Sequence, residues 1–544
     1  MSGLLGALIN KKALAETPKE VLNWYLFASA FCIALSGGLH GANTSNISGI
    51  LAMSSFKQTF RWKEFSASEQ TNNSGWITSV IVLGGLVGTS TSAPFNDRLG
   101  RKWTMFVNGF LYLVGSIIQI SASGSVVQVI VGRAVQGYAS GGGAVNGSMF
   151  LAEIAPKAIR GLLGAFMSIN IMLGVALGYW MNYVSILYIS EESNWQWRFP
   201  VLFQMYPGII MCVVAPVIFD SPRWYASRGR MEEAKKTLAK IRRLPEDHHF
   251  LQQELEEMSR GVNQEQEIKS ATSWAGLFSE LKRDVTLRRR FILVLIAQIG
   301  FNFSGGNSIT YYQSSILSTI GVTGKAGTYL YSGIYGLMKV LAVFVYSLFC
   351  AERFGRRTCL LIGSIINLIC VLYIAVYLGA LAPHHNTAAG WVAVVCLFVF
   401  AIGYGIGWAP VAIGLNAEIF PNAYRSKLMS MTFSMQYLVN FLLTRFFPNM
   451  VANIGSFGPF TIFACVSALI ITYMFLALPE VKGKPMETMQ DLFGRSWWLN
   501  GVNQKKIADG LYTSATPDAQ RSVLEMDEKY ESDVFVEERA RAKV

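Results

Sequence analysis

Twelve stretches of about 20 mostly apolar residues run through this chain of 544 residues. An α-helix needs about that length to cross the hydrocarbon core of a bilayer. Of all residues 52% are hydrophobic and 15% are charged, a balance that a water-soluble fold of this size does not have. We therefore predict an all-α membrane protein, with twelve transmembrane helices at residues 24–49, 75–95, 103–123, 126–150, 161–186, 198–219, 290–317, 327–350, 358–380, 390–416, 428–450 and 458–478.

Two charged motifs repeat at about half the chain length. DRLGRK at 97–102 and ERFGRR at 352–357 start 255 residues apart, and EIAPKAIR at 153–160 and EIFPNAYR at 418–425 start 265 residues apart. Each motif lies next to apolar stretches. Parallel repeats of this kind build two helical halves around a site in the middle of the membrane. The repeat favours a duplicated transporter made of two six-helix bundles.

Basic residues concentrate in alternate connections between the spans, including a cluster at 223–243. The positive-inside rule places those connections and both termini in the cytoplasm. The net charge of +12 is thus explained by topology, not by nucleic-acid binding. We expect a cytoplasmic N-terminus (1–23), an N-terminal bundle (24–219), a linker (220–289), a C-terminal bundle (290–478) and a largely disordered cytoplasmic tail (479–544). The linker is either a set of amphipathic helices or a solvated connection without chemistry.

Catalytic signatures are missing from the sequence. The seven cysteines lie in or at the ends of spans, without the spacing of a disulfide framework or a metal site. There is no phosphate-binding glycine loop and no nucleophile elbow. We expect no enzymatic activity, no cofactor and no metal. The expected partners are the lipid bilayer and a small polyhydroxylated solute, and the expected state is a monomer.

Six motifs in order, covering about residues 17 to 495, resemble the sugar porter family of the major facilitator superfamily, especially fungal members of the quinate-permease and sugar type. They are TPKEVLNW at 17–24, GRK and GRR at 100–102 and 355–357, GR at 132–133, DSPRW at 220–224, SGGN with YY between 304 and 312, and PEVKG at 479–483. The resemblance implies two bundles that open one site alternately to each side of the plasma membrane.

The resemblance also implies a solute site. Asn307, Tyr311 and Tyr312 match the family's motif in span seven, where amides bind sugar hydroxyls and tyrosines close the outer gate. Helix packing is the alternative role for Asn307. The other matching positions depart from the family's glutamines and tryptophans: Asn302 and Ser168, with Asn170 near the latter, replace glutamines, and Ile413 and Tyr437 replace tryptophans. Trp408 lies more than one turn before Ile413, and Asn440 follows Tyr437. A pocket altered in this way leaves the solute open among monosaccharides, polyols and sugar acids.

Coupling to protons depends on span one. Family symporters carry an aspartate there that takes a proton and pairs with the span-four arginine, which is Arg133 in this chain. Asn43 stands at the aspartate position and cannot titrate, so we predict facilitative uniport. A proton-coupled symporter and a non-transporting nutrient sensor are the alternatives. His40 lies at a pocket position and is a structural hydrogen-bonding group, a solute ligand or a proton carrier.

Arg133 and Lys339 are charges inside spans without an acidic partner in those spans. Such groups point to function, and both are expected to face a wet cavity or backbone carbonyls. Lys339 either lines a solvated cavity or contacts an anionic solute such as a sugar acid or quinate.

Charged residues at the cytoplasmic helix ends are predicted to form a gating network. One surface ion pair contributes about 0–1 kcal/mol, but a network that must break on opening acts as a latch. The alternative is that these positions serve topology alone, although topology does not require Glu153 or Glu418. The predicted network consists of Asp97, Arg101, Glu153 and Arg160 in the first half and Glu352, Arg356, Glu418 and Arg425 in the second.

Overall fold

The computed structural model describes residues 17–271, 273–322, 324–350, 354–381, 387–421, 424–480 and 493. Regular structure within these residues is helical throughout. The first half contains α1 (Trp24–Ile50), α2 (Ser54–Thr59), α3 (Ala67–Leu99), α4 (Arg101–Ile120), α5 (Val126–Ile154), α6 (Arg160–Tyr188), α7 (Trp195–Phe203) and α8 (Tyr206–Val214). The predicted sixth span is thus two shorter helices, α7 and α8.

The connection between the halves is helical, as its amphipathic pattern predicted. It contains α9 (Pro222–Ser227), α10 (Met231–Arg242), α11 (His249–Ala271) and α12 (Trp274–Arg283). Arg242, 1% exposed, forms an ion pair with Glu254 and donates to the carbonyl of Ile154 at the end of α5 over 2.9 Å. The linker helices therefore pack on the first half, at the end of the bundle that we call the linker face. The opposite end is called the far face.

The second half repeats the arrangement with two interrupted spans. It contains α13 (Val285–Phe303), α14 (Gly306–Ile320), α15 (Lys325–Val345), α16 (Arg356–Val376), α17 (Thr387–Ile406), α18 (Trp408–Ile419), α19 (Arg425–Ile454) and α20 (Gly458–Ala477). Span seven breaks between α13 and α14, and span ten breaks between α17 and α18. Half-helices of this kind expose backbone and side-chain polar groups at membrane depth, where a transporter can use them.

Within the part of the chain that the structure describes, ten helical segments are long and apolar enough to cross a membrane by length and composition. The predicted fourth and eleventh spans are not among them, although both are helices, α5 and α19, of 29 and 30 residues. Both carry polar groups in their middle, such as Arg133 and Gln136 in α5 and Asn440 and Thr444 in α19. Their polarity reflects burial in the bundle interior, where polar groups of membrane proteins lie.

Glycine allows the closest helix contacts in the first half. A methyl group at Gly41 in α1 would lie 1.9 Å from the carbonyl oxygen of Ile171 in α6, and one at Gly137 in α5 would lie 2.2 Å from that of Ile81 in α3. Small residues let helices in lipid approach until their backbones touch. Between the halves, α6 packs on α15, α3 on α19 and α1 on α14.

Candidate functional site

The break in span seven brings two amides together. Gly305 joins α13 to α14 with φ +86°, a left-handed conformation that glycine adopts without strain. Across it, Asn307 Nδ2 donates to Asn302 Oδ1 over 3.1 Å, and the Tyr404 hydroxyl donates to Asn307 Oδ1 over 3.3 Å. Asn302 also donates to the carbonyl of Gln436 in α19 over 2.9 Å. This amide cluster (Asn302, Asn307, Tyr404) has donors and acceptors suited to solute hydroxyls.

The two predicted gate tyrosines follow on α14 and are buried. Tyr312 has φ −117° and ψ 17°, which kinks the helix. Its hydroxyl donates to the carbonyl of Thr444 in α19 over 2.9 Å, and its ring stacks on Phe447 with centroids 4.8 Å apart. Tyr311, next to it, is 1% exposed. Both tyrosines lie between the amide cluster and the far face.

The side chains of two other predicted pocket residues form hydrogen bonds within their own helices. Asn170 Nδ2 donates to the carbonyl of Phe166 over 2.9 Å. Asn440 Oδ1 accepts from the hydroxyl of Thr444 over 3.2 Å. Neither hydrogen bond ties these side chains to the amide cluster.

Aromatic rings adjoin the cluster on neighbouring helices. Trp408 is 2% exposed and lies against Gly300 in α13. Tyr437 in α19 packs against Gly85 in α3, in the other half. Ser168 and His40 are half-buried in the first half, and in the described part of the chain neither side chain hydrogen-bonds to the amide cluster.

Arg133 and Asn43 bind each other inside the first half. Arg133 Nε donates to the carbonyl of Ile77 over 2.6 Å, and its Nη1 donates to Asn43 Oδ1 over 3.2 Å. Asn43 Nδ2 in turn donates to Gln136 Oε1 over 3.0 Å, and the same oxygen accepts from Gln119. Both ends of the Asn43 amide are thus used. A carboxylate has acceptors alone and cannot reproduce this pattern.

Lys339 does not line a wet cavity here, which was one of the two predicted environments. Its side chain is 2% exposed, and Nζ donates to the hydroxyl of Thr310. The rings of Tyr335 and Tyr404 have their centroids 5.0 and 4.8 Å from Nζ. Sequence reasoning missed Thr310 and Tyr404. Thr310 lies inside the span-seven motif and was within reach, whereas nothing in the sequence around Tyr404 marked it.

The two halves are joined by hydrogen bonds toward the far face. Ser48 Oγ in α1 donates to Ser314 Oγ in α14 over 3.2 Å, and the Tyr329 hydroxyl donates to the carbonyl of Gly49 over 3.0 Å. These contacts lie between the far face and the amide cluster. Outside them lies a cavity of about 600 Å³, to which both halves contribute, including Trp62, Tyr312 and Ser314.

Three of the predicted gating residues meet at the linker face. Arg101 binds Glu153 bidentately, with Nη2–Oε1 and Nε–Oε2 distances of 2.8 and 3.0 Å, and both side chains are largely buried. Asp97 lies 3.8 Å from the same guanidinium. Arg160 begins α6 and is exposed. This half of the predicted network therefore centres on a single well-shielded ion pair.

The second-half network is described in part. Glu352 lies outside the described residues, and so does the side chain of Glu418. Arg425 Nε donates to the carbonyl of Phe420 over 3.3 Å. Arg356 begins α16, and its backbone N–H donates to Glu480 over 2.9 Å.

Two acids that were not predicted to act bind the helix starts of the repeated motif. Asp220 Oδ1 accepts from the backbone N–H groups of Arg101 and Lys102 over 2.9 and 3.3 Å. Burial raises the pKa of Asp220, and the N–H donors and the Arg101 charge oppose the rise. Glu480 binds the N–H groups that begin α16 in the same way. The signal was present in the DSPRW and PEVKG motifs, each of which begins with or near its acid.

Comparison with known proteins decides the family. The family model "Sugar (and other) transporter" matches residues 29–493. The chain belongs to this sugar transporter family. Relatives include a probable quinate permease of Aspergillus niger, 30% identical over 88% of this chain and 89% of the relative, and the quinate permease of Emericella nidulans, 28% identical over 88% and 90%.

Solved structures agree on the fold of this sugar transporter family member. The proton:xylose symporter XylE bound to 6-bromo-6-deoxy-D-glucose matches with a TM-score of 0.69 at 23% identity, covering 86% of this chain and 99% of the other. The inward-open xylose transporter XylE from E. coli matches with the same values. The prediction of a major facilitator fold with two six-helix bundles is confirmed. The protein is an integral membrane transporter, and its relatives are permeases, not enzymes.

Proposed function

We propose that this transporter carries a small polyhydroxylated solute, a monosaccharide, polyol or sugar acid, by facilitative uniport. The observation that carries uniport is the Asn43 amide, whose two ends are occupied by Arg133 and Gln136. No titratable group stands at that place. The relatives named quinate permeases support the solute class, because quinate is a small ring with several hydroxyls.

The amide cluster is the proposed centre of solute binding. Asn302 and Asn307 would exchange their mutual hydrogen bond for bonds to ring hydroxyls, and Tyr311 and Tyr312 would form the gate on the far-face side. The proposed pocket is completed by Ser168, Asn170, His40, Trp408, Tyr437 and Asn440.

The linker face is the proposed cytoplasmic side, together with both termini, in the plasma membrane. This orientation rests on the basic residues of the linker-face connections. The domain division at 24–219, 220–289 and 290–478 and a monomeric state are parts of the same proposal. The Arg101–Glu153 pair with Asp97, Arg160 and the second-half residues Glu352, Arg356, Glu418 and Arg425 would stabilise the cytoplasmic closure when the site faces outward.

An uptake panel in proteoliposomes tests the function. Hexoses, pentoses, polyols, uronates and quinate would be offered with and without a pH gradient. Saturable uptake of at least one solute, equal with and without the gradient, is the expected result. Uptake that requires the gradient would replace uniport by proton symport. Saturable binding without flux of any solute would replace transport by sensing.

A further inference from the structure

Lys339 is a buried cation with donors to spare. An ammonium group has three N–H donors. In the described part of the chain, the Thr310 hydroxyl accepts one, and the other neighbours of Nζ are the π-faces of Tyr335 and Tyr404. Ring faces attract a cation electrostatically but do not neutralise it. The site can therefore accept an anionic ligand.

The position of Lys339 links the amide cluster to the interface between the halves. Tyr404, whose ring faces Nζ, donates its hydroxyl to Asn307. The carbonyl of Thr310 accepts from the hydroxyl of Tyr179 in α6, which belongs to the other half. A group bound at Lys339 would thus lie beside the solute hydroxyls and at a contact that changes when the halves move apart.

Charge balance inside the membrane points to the chemistry of that group. None of the twelve spans contains an Asp or a Glu, whereas Arg133, Lys339 and Arg445 lie well inside them and Arg198 and Arg290 lie at their ends. Arg133 is bound to the carbonyl of Ile77 and to Asn43, and Arg445 to Asn449. A cation in hydrocarbon surroundings is costly unless it is paired. For Lys339, a carboxylate delivered by the solute supplies the missing partner.

We propose that Lys339 determines specificity by binding a carboxylate of the solute, so that the carrier selects polyhydroxylated monocarboxylates over neutral sugars. The carboxylate reaches Nζ from the amide cluster when the halves separate, while the ring hydroxyls bind Asn302 and Asn307. The inference rests on the proposed carrier function and adds the class of solute.

Pairs of solutes that differ only in a carboxylate replaced by its neutral amide test it. Quinate and its neutral amide, quinamide, share every ring hydroxyl, and glucuronate and glucuronamide form a second pair. In proteoliposomes the wild-type protein should prefer one or both acids over the matching amide by about tenfold or more in half-saturation. Lys339→Gln should weaken uptake of the acid about ten- to hundredfold and leave the amide unchanged. Lys339→Arg should retain part of the preference. Lys236→Gln, at an exposed lysine of α10, is the matched control and should change neither.

Each result bears on a different statement. If the wild-type protein takes up the amides and neutral sugars with the same half-saturation concentrations as both acids, the carboxylate site is overturned and the carrier function is left intact. A Lys339→Gln protein that loses acid and amide equally has the same consequence. Folding of Lys339→Gln is judged by its elution as a monodisperse peak. If it does not fold, the preference of the wild-type protein for each acid over its amide still decides whether the carboxylate site exists. A wild-type protein that moves no solute of the panel overturns the carrier function itself.

Discussion

An asparagine side chain accepts at one end and donates at the other, and at Asn43 both ends are used. Arg133 donates to its oxygen, and its NH₂ group donates to Gln136. A carboxylate would keep the contact with Arg133 and lose the donation to Gln136. The neutral residue therefore completes this buried network without a proton, which is the physical basis for predicting uniport.

Replacing Asn43 by aspartate should introduce proton coupling. The new carboxylate beside Arg133 can alternate between a charged, paired form and a protonated form as access alternates. Under an inward proton gradient, Asn43→Asp proteoliposomes should accumulate solute above the external concentration, and a protonophore should abolish the accumulation. Asn43→Ala, which has neither amide nor carboxylate, is the control and should not accumulate solute. If Asn43→Asp protein transports solute but still brings it only to the external concentration, the network around Asn43 does not control proton coupling.

Asn307 lies at the centre of the amide cluster and is half-buried. Asn307→Ala should raise the half-saturation concentration by a factor corresponding to about 1–3 kcal/mol, because the solute hydroxyls that it binds would be left unpaired. Initial uptake rates at equal surface expression measure it. Asn453→Ala, at an exposed position near the end of α19, is the control. Unchanged kinetics in Asn307→Ala would exclude this amide from the site.

At the scale of single residues, the sequence identified the polar and charged side chains of the site better than it identified the residues that they contact. Asn302 and Asn307 could be named from the span-seven motif, but their hydrogen bond depends on the turn at Gly305. Tyr404 comes from span ten and lies against Asn307 through tertiary packing alone. Lys339 was recognised as an intramembrane charge, and Tyr335 lies one turn before it in the same helix. Its contact with Tyr404 depends on how α15 packs on α17, which hydropathy does not encode.

Two glycines define where the helices of the repeated motif begin. Gly100 has φ 87° and ψ 169°, and Gly355 has φ 84° and ψ 165°, a region that other residues rarely adopt. Each is followed by N–H groups that bind an acid, Asp220 or Glu480. The repeat thus conserves a helix start and its acidic partner, in addition to a row of charges.

Gly100→Ala should therefore destabilise the protein. The backbone strain costs about 1–3 kcal/mol, and the added methyl group would lie 2.3 Å from Asp220 Oδ2. Thermal unfolding in detergent should show a lower melting temperature. Gly164→Ala, at a helical position where an added methyl meets no atom within 4 Å, is the control and should not lower it. Equal melting temperatures for both variants would contradict this reading of the motif.

The Arg101–Glu153 pair is proposed to hold the linker face closed when the site is open to the far face. Arg101→Ala should thus make far-face opening rarer. Ser314 is buried in the far-face contact with Ser48. A cysteine introduced there, Ser314→Cys in a protein without its native cysteines, becomes accessible when the far face opens. An impermeant thiol reagent should label this cysteine more slowly in Arg101→Ala. Arg98→Ala, at an exposed position of the same motif, is the control, and an unchanged labelling rate in Arg101→Ala would exclude the latch.

Helices were predicted more reliably than their interruptions. Helices lie at all twelve predicted positions, and ten of the helical segments in the described residues are long and apolar enough to cross a membrane, because burial in lipid demands a continuous apolar run. The breaks at Gly305 and Gly407 were not foreseen, since an average over 20 residues hides a turn of one or two. Asp220 lies 119 positions after Arg101 in the chain, and its binding to that helix start follows from the three-dimensional arrangement of the half.

For the whole molecule, the contacts between the halves determine which side is open. The hydrogen bonds Ser48–Ser314 and Tyr329–Gly49 join them toward the far face, and Tyr179–Thr310 joins them beside Lys339. Within the first half, α1 packs on α6 and α3 packs on α5 through glycine contacts. In the proposed alternating access, the halves would exchange this small set of contacts while the glycine contacts inside the first half persist.

Steady-state solute distribution tests uniport by this molecule most directly. Proteoliposomes would be loaded with the best solute of the uptake panel, with an inward proton gradient imposed and the membrane potential clamped to zero, and then compared with and without a protonophore. Uniport predicts an internal concentration that levels off at the external one in both cases. A proton driving force equivalent to 100 mV is about 2.3 kcal/mol, or roughly 50-fold accumulation. Protonophore-sensitive accumulation approaching that value would contradict uniport and direct attention to His40.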